Sequence, residues 1–107
     1  MGTYVKVATV DKFPKDQGVR VEAGGQKIAL FRVGSDYFAI GDECTHVGGP
    51  LCEGMIHEKT VLCPWHGAQF DLMTGAGLAG PARGPVASYP VRVNGSDIEV
   101  EIKTLDI

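Results

Sequence analysis

Near the C-terminus, apolar and polar positions alternate with period two. Val91 and Val93 flank Arg92, while Ile98, Val100 and Ile102 are separated by Glu99 and Glu101. This pattern predicts a β-hairpin with one wet face, and Asn94-Gly95 predicts a type I′ turn between its strands. The N-terminal half is punctuated in the same way. Tyr4 to Val10 is rich in β-branched residues and reads as a strand. Val19 to Glu22 alternates, Gly24-Gly25 predicts a hairpin turn, and Lys27 to Val33 forms the returning strand. Gly34-Ser35-Asp36 turns the chain again before Tyr37 to Ile40. In the middle, Met55-Ile56-His57 and Thr60-Val61-Leu62 predict a small hairpin across Glu58-Lys59, which carries Cys63 out of its second strand into a loop.

No segment sustains a period of three to four residues. The nearest helical candidate, Asp11 to Asp16, is interrupted by Pro14. The fold class expected is therefore all-β, with nine or ten short antiparallel strands. A lobe of about residues 43–85 is inserted in a single domain of residues 1–107. A chain of 107 residues can bury a core without disulfide support.

Composition narrows the function classes. The ten Lys and Arg residues are scattered and the formal net charge is −3, which argues against nucleic acid or an anionic membrane surface as partner. No apolar run reaches membrane-span length, and Met1 to Lys6 lacks the basic and apolar regions of a secretory signal. An odd count of three Cys without such a signal reads as metal ligand or free thiol before disulfide, and a cytoplasmic location follows.

The chemistry concentrates in Cys44-Thr45-His46 and Cys63-Pro64-Trp65-His66. Each motif pairs a thiolate with an imidazole and is followed by Gly, at Gly48, Gly49 and Gly67. Thiolate favours zinc, copper(I) or iron–sulfur, and imidazole suits zinc, iron and copper. A tetrahedral zinc site with two Cys and two His would use the same four residues, making the chain a zinc-binding structural or interaction module. Zinc fingers commonly place a Cys pair before a His pair, whereas here each local pair is mixed. Mixed pairs suit two metals, because each loop can send one ligand to each ion.

The longer segments Cys44-Thr45-His46-Val47-Gly48-Gly49-Pro50-Leu51 and Cys63-Pro64-Trp65-His66-Gly67-Ala68-Gln69-Phe70-Asp71 resemble the two ligand loops of the Rieske iron–sulfur family. Thr74-Gly75 resembles the turn that follows, and Pro81-Ala82-Arg83-Gly84-Pro85 resembles the proline segment that covers the cluster. The resemblance implies one [2Fe-2S] cluster per chain, with Cys44 and Cys63 on one iron and His46 and His66 on the other. It also implies that the His edges reach solvent, as the electron exit. The disulfide of respiratory relatives is absent, because its positions hold Gly49 and Trp65. Cys52 then reads as a small buried hydrophobe. Ala68 and Phe70 stand where high-potential relatives carry Ser and Tyr hydroxyls, so the expected potential is near the low end of the Rieske range, about −150 mV.

Two ferric ions, two sulfides and two thiolates sum to zero charge. Reduction therefore meets less repulsion than in an all-Cys cluster. A catalytic mononuclear iron would need two further His, and only His57 is left; no nucleotide-binding glycine fingerprint is present either. The resemblance thus implies a one-electron carrier rather than an enzyme. It would be a monomer that meets two partners transiently, a flavin-dependent NAD(P)H reductase and the terminal oxygenase of a ring-hydroxylating dioxygenase or monooxygenase system. The alternative is the small subunit of an NADH-dependent nitrite reductase. Trp65 is placed either to dock a partner or to pack under its loop.

Overall fold

The structure, a computed structural model, describes residues 2–14, 17–42, 50–65, 67–79 and 85–103. Its strands are β1 (Gly2–Thr9), β2 (Gly18–Ala23), β3 (Gln26–Val33), β4 (Asp36–Gly41), β5 (Met55–His57), β6 (Thr60–Leu62), β7 (Gln69–Asp71), β8 (Gly77–Ala79), β9 (Ser88–Tyr89), β10 (Val91–Asn94) and β11 (Asp97–Lys103). Single 3-10 turns at Val10–Lys12 and Leu51–Glu53 complete the described elements. Among the described residues eleven strands stand where nine or ten are expected. The three absent from the sequence pattern, β7, β8 and β9, have only two or three residues each, too few to show a period.

All pairings are antiparallel. They form three sheets of order β1-β11-β10, β2-β3-β4-β9 and β5-β6-β7-β8. The middle sheet is buried on both faces, and β3 shows why. Ile28, Ala29, Leu30 and Phe31 are all fully buried, a continuous apolar run of the kind a strand needs when neither side meets water. Ile28 and Leu30 pack with Ala39, Ile98, Val100 and Ile102 against the first sheet. Ala29, Phe31 and Ile40 face the opposite way, onto Leu51, Cys52, Val61, Cys63, Ala68, Phe70, Leu72 and Val86. The third sheet and its loops therefore sit as a lobe on the central sheet.

The C-terminal hairpin has its wet face where expected, with Arg92 Nε donating to Glu99 Oε1 at 2.6 Å. Its turn is one residue later than the sequence suggests. Asn94 pairs with Asp97, so Gly95 and Ser96 are central, and of these only Gly95 has positive φ (64°). A type I′ turn requires positive φ at both central residues, so the Asn94-Gly95 type I′ reading is corrected. Pairing of Val93 with Ile98 and Val91 with Val100 fixes the register. The Gly24-Gly25 turn does have both φ values positive, 57° and 77°, between paired Ala23 and Gln26. No helix among the described residues is long and apolar enough to cross a membrane.

Candidate metal centre

The β5–β6 hairpin forms across Glu58-Lys59 as predicted, and β6 delivers Cys63 into the loop leading to β7. Two backbone bonds close that loop. The Cys63 N–H donates to Ala68 O at 2.7 Å, and the Gly67 N–H donates to Cys63 O at 3.2 Å. Gly67 adopts φ 76°, a left-handed conformation that glycine accepts without strain. Cys63 itself is buried in the lobe core, beside Ala68 and Phe70.

The other three predicted ligands, Cys44, His46 and His66, lie outside the described residues, as do Gly48, Gly49 and Pro81 to Gly84. Among the described residues no three His, Cys, Asp or Glu side chains converge on a metal position. The donor that is described fits a cluster: Cys63 is a buried thiol in no disulfide, in a loop held by its own backbone.

Cys52 makes an instructive contrast. It too is a free, buried thiol, but burial first, then its hydrogen bond to Asp42 and the charge of that carboxylate, push its pKa up to about 11. A thiol held protonated is a poor ligand, because thiolate is the metal-binding form. Cys52→Ala is therefore expected to leave iron and sulfide content unchanged. The same shift has a sign in stability. The native state holds the Cys52 proton more tightly than an ordinary thiol of pKa 9.0, so its contribution is complete below pH 9 and fades as pH rises towards 11. Denaturant titrations from pH 8 to 11 should show a steeper loss in the parent than in Cys52→Ala.

The segment bearing Cys44 and His46 is anchored at both ends. The Leu51 N–H donates to Asp42 O at 2.8 Å, and the Cys52 N–H donates to Asp42 Oδ1 at 2.9 Å. Sequence reasoning missed Asp42. The one available signal was a carboxylate following the buried Ala39-Ile40 run, two residues ahead of Cys44. Trp65 is 56% exposed, which excludes packing under its loop. Ala68 is fully buried in the same apolar cluster as Cys63. Ala68→Ser adds a hydroxyl donor there. A redox titration should show a higher midpoint potential, because hydrogen bonds to cluster sulfur offset the charge gained on reduction.

This arrangement of short antiparallel sheets, with a buried thiol on a closed hairpin loop, is that of a small all-β domain able to offer a thiolate to a metal. The Rieske [2Fe-2S] domain family matches residues 3–90. The chain is 41% identical over 90 residues to the 3-phenylpropionate/cinnamic acid dioxygenase ferredoxin subunit of Shigella boydii serotype 4 (strain Sb227), covering 83% of this chain and 84% of that protein. It superposes on the ferredoxin in a complex of reduced oxygenase and oxidized ferredoxin of carbazole 1,9a-dioxygenase. There the TM-score is 0.85 at 30% identity, over 96% of this chain and 97% of that one. It also superposes on a protein assigned as an NADH-dependent nitrite reductase small subunit from Mycobacterium tuberculosis. In that case the TM-score is 0.89 at 25% identity, over 98% and 99% of the two chains. The chain belongs to the Rieske [2Fe-2S] family. It is an electron carrier of the ferredoxin type, with one [2Fe-2S] cluster per chain, and this decides against the zinc alternative.

Proposed function

We propose that Cys44, His46, Cys63 and His66 hold the cluster, and that the chain shuttles electrons from a flavin-dependent NAD(P)H reductase to the terminal oxygenase of an aromatic-ring hydroxylating system. When bound, the [2Fe-2S] cluster supplies reversible one-electron chemistry. The chain does the rest. Cys63, Ala68, Phe70 and Leu72 keep water from the inner side of the ligand loop. The closing bonds at Ala68 and Gly67 hold that loop in one shape, which limits rearrangement when charge changes.

One observation carries the shuttle reading. A buried ligand thiol, Cys63, lies two residues from a solvent-facing Trp65. Exposed Trp is enriched at interfaces, and a carrier needs its redox group close to the surface that meets its partner. The ferredoxin names of the relatives at 30% identity or above support an oxygenase as that partner, ahead of the nitrite reductase alternative. The chain would act as a cytoplasmic monomer of one domain, residues 1–107, with its cluster lobe at about 43–85. The free, buried thiol of Cys52 supports a reducing compartment.

Stopped-flow mixing of the reduced protein with a ring-hydroxylating oxygenase tests this. Trp65→Ala should slow transfer about tenfold while leaving the midpoint potential unchanged, as expected for loss of an interface aromatic worth roughly 1–2 kcal/mol. Transfer should also weaken with added salt. A long-lived complex with a nitrite reductase large subunit would favour the alternative instead.

A further inference from the structure

Asp42 is the one buried charged side chain among the described residues, at 1% exposure. Burying a carboxylate is costly unless it is paired and hydrogen-bonded, and this one is both. Arg20 Nε, on β2, donates to Asp42 Oδ2 at 2.6 Å. The Cys52 N–H takes Oδ1, the Leu51 N–H takes the main-chain oxygen, and the Asp42 N–H donates to Lys27 O at 3.1 Å. One residue thus joins the end of β4, the start of β3, the side chain of β2 and the 3-10 turn at Leu51–Glu53. Residues 43–50 leave from this knot and return to it, and they include Cys44 and His46.

The pair is electrically lopsided. Asp42 is buried and stands two residues before Cys44 in the sequence, whereas the Arg20 side chain, on β2, is 48% exposed. A half-exposed guanidinium is screened by solvent, while a buried carboxylate is screened far less. The two charges are therefore screened unequally, and the carboxylate is the less screened of the pair. Reduction adds negative charge to a cluster held at Cys44, two residues along the chain, and a fixed carboxylate opposes it, more strongly when its counter-ion is removed.

We infer that Asp42 is a positioning residue for the redox centre: its carboxylate ties both ends of the first ligand loop to β2 through Arg20, and its charge, balanced by Arg20, sets the reduction potential. This rests on the ligand assignment proposed above. The inference predicts shifts of opposite sign from the two halves of one ion pair, which a merely structural contact would not give. Asp42→Asn keeps the shape and one acceptor but removes the charge, and raises the potential. Arg20→Met keeps an apolar stem but strands the carboxylate, and lowers it. Arg20→Lys restores the charge and returns the potential towards the parent value. Loss of iron to a chelator should speed up about tenfold in Asp42→Asn and in Arg20→Met, the lower end of what outer-shell changes cost a metal site.

The experiment is a spectroscopic redox titration and a chelator time course on the cluster-loaded parent, these three variants and the double variant. Should Asp42→Asn fail to load, the Arg20 pair still decides, because Arg20 is half exposed and its substitution leaves the core intact. A lowered potential in Arg20→Met with recovery in Arg20→Lys supports the inference. Equal potentials across parent and variants, or shifts of one sign in Asp42→Asn and Arg20→Met, overturn it. A parent that holds no [2Fe-2S] cluster would instead overturn the ligand assignment itself.

Discussion

Cys63→Ala should yield a colourless protein with no iron, no acid-labile sulfide and no paramagnetic signal after dithionite reduction. The expected effect is complete loss, because one iron would keep a single protein thiolate and the inner wall of the site would lose its buried donor. The cause is chemical rather than a failure to fold. Cys63 contributes only a small side chain to the lobe core, and the bonds that close its loop come from backbone N–H and C=O groups of Cys63, Gly67 and Ala68. Far-ultraviolet circular dichroism should therefore retain the strand signal, although thermal stability should fall because metal binding is coupled to folding. His57→Ala is the natural control. His57 is exposed at the end of β5, outside both motifs, and its loss should leave iron and sulfide content unaltered.

Gly75→Ala should be the most damaging single methyl group added at any glycine among the described residues. Gly75 adopts φ 79°, where an L side chain costs roughly 1–2 kcal/mol. A Cβ there would also run into the carbonyl oxygen of Val86. Yet Gly75 O accepts from the Val86 N–H at 2.9 Å, so the clash falls on the very contact that brings residues 75 and 86 together. Breaking it leaves groups beside a buried Val86 without partners, adding about 1–3 kcal/mol. The combined loss, on the order of 3 kcal/mol, corresponds to a fall in melting temperature of roughly 15 °C for a domain of this size. The surrounding turn has little freedom to absorb the strain. Thr74 Oγ1 donates to Asp71 Oδ2 at 2.7 Å, the Gly75 N–H donates to Asp71 O at 2.7 Å, and the Asp71 N–H donates to Ala76 O at 2.9 Å. Differential scanning calorimetry of the parent and variant checks the shift, and a change under 1 °C would refute this view of the turn.

Where side chains alternate or a turn has distinctive residues, the sequence is a reliable guide. Ile98, Val100 and Ile102 mark the buried face of β11, and Gly24-Gly25 marks a turn whose two positive φ values only glycine adopts readily. The β5–β6 hairpin was readable from six residues because His57 and Thr60 close a two-residue turn. Glu58 takes the positive φ of that turn (55°), where glycine would be the usual choice, so its identity carried no turn signal. Short elements were illegible for a physical reason. Ser88–Tyr89 and Gly77–Ala79 exist because neighbouring strands offer them partners, and their own residues carry no pattern. The site divides in the same way. The motifs proposed to hold the cluster stand out by residue type and spacing, whereas the Asp42–Arg20 pair joins positions 22 apart in sequence and becomes visible only when β2 and β4 lie in one sheet. The surroundings of Cys52 and Cys63 likewise separate only in space, one thiol beside Asp42 and the other in a loop closed by backbone bonds among apolar neighbours.

The central claim is that this chain carries a [2Fe-2S] cluster on two thiolates and two imidazoles. Elemental and sulfide analysis of anaerobically purified protein, joined to electron paramagnetic resonance after dithionite reduction, addresses it directly. The account predicts two irons and two acid-labile sulfides per chain, with a one-electron signal whose nitrogen hyperfine couplings vanish or change in His46→Ala and His66→Ala. One zinc per chain without sulfide, or a reduced cluster showing no nitrogen coupling, would contradict it.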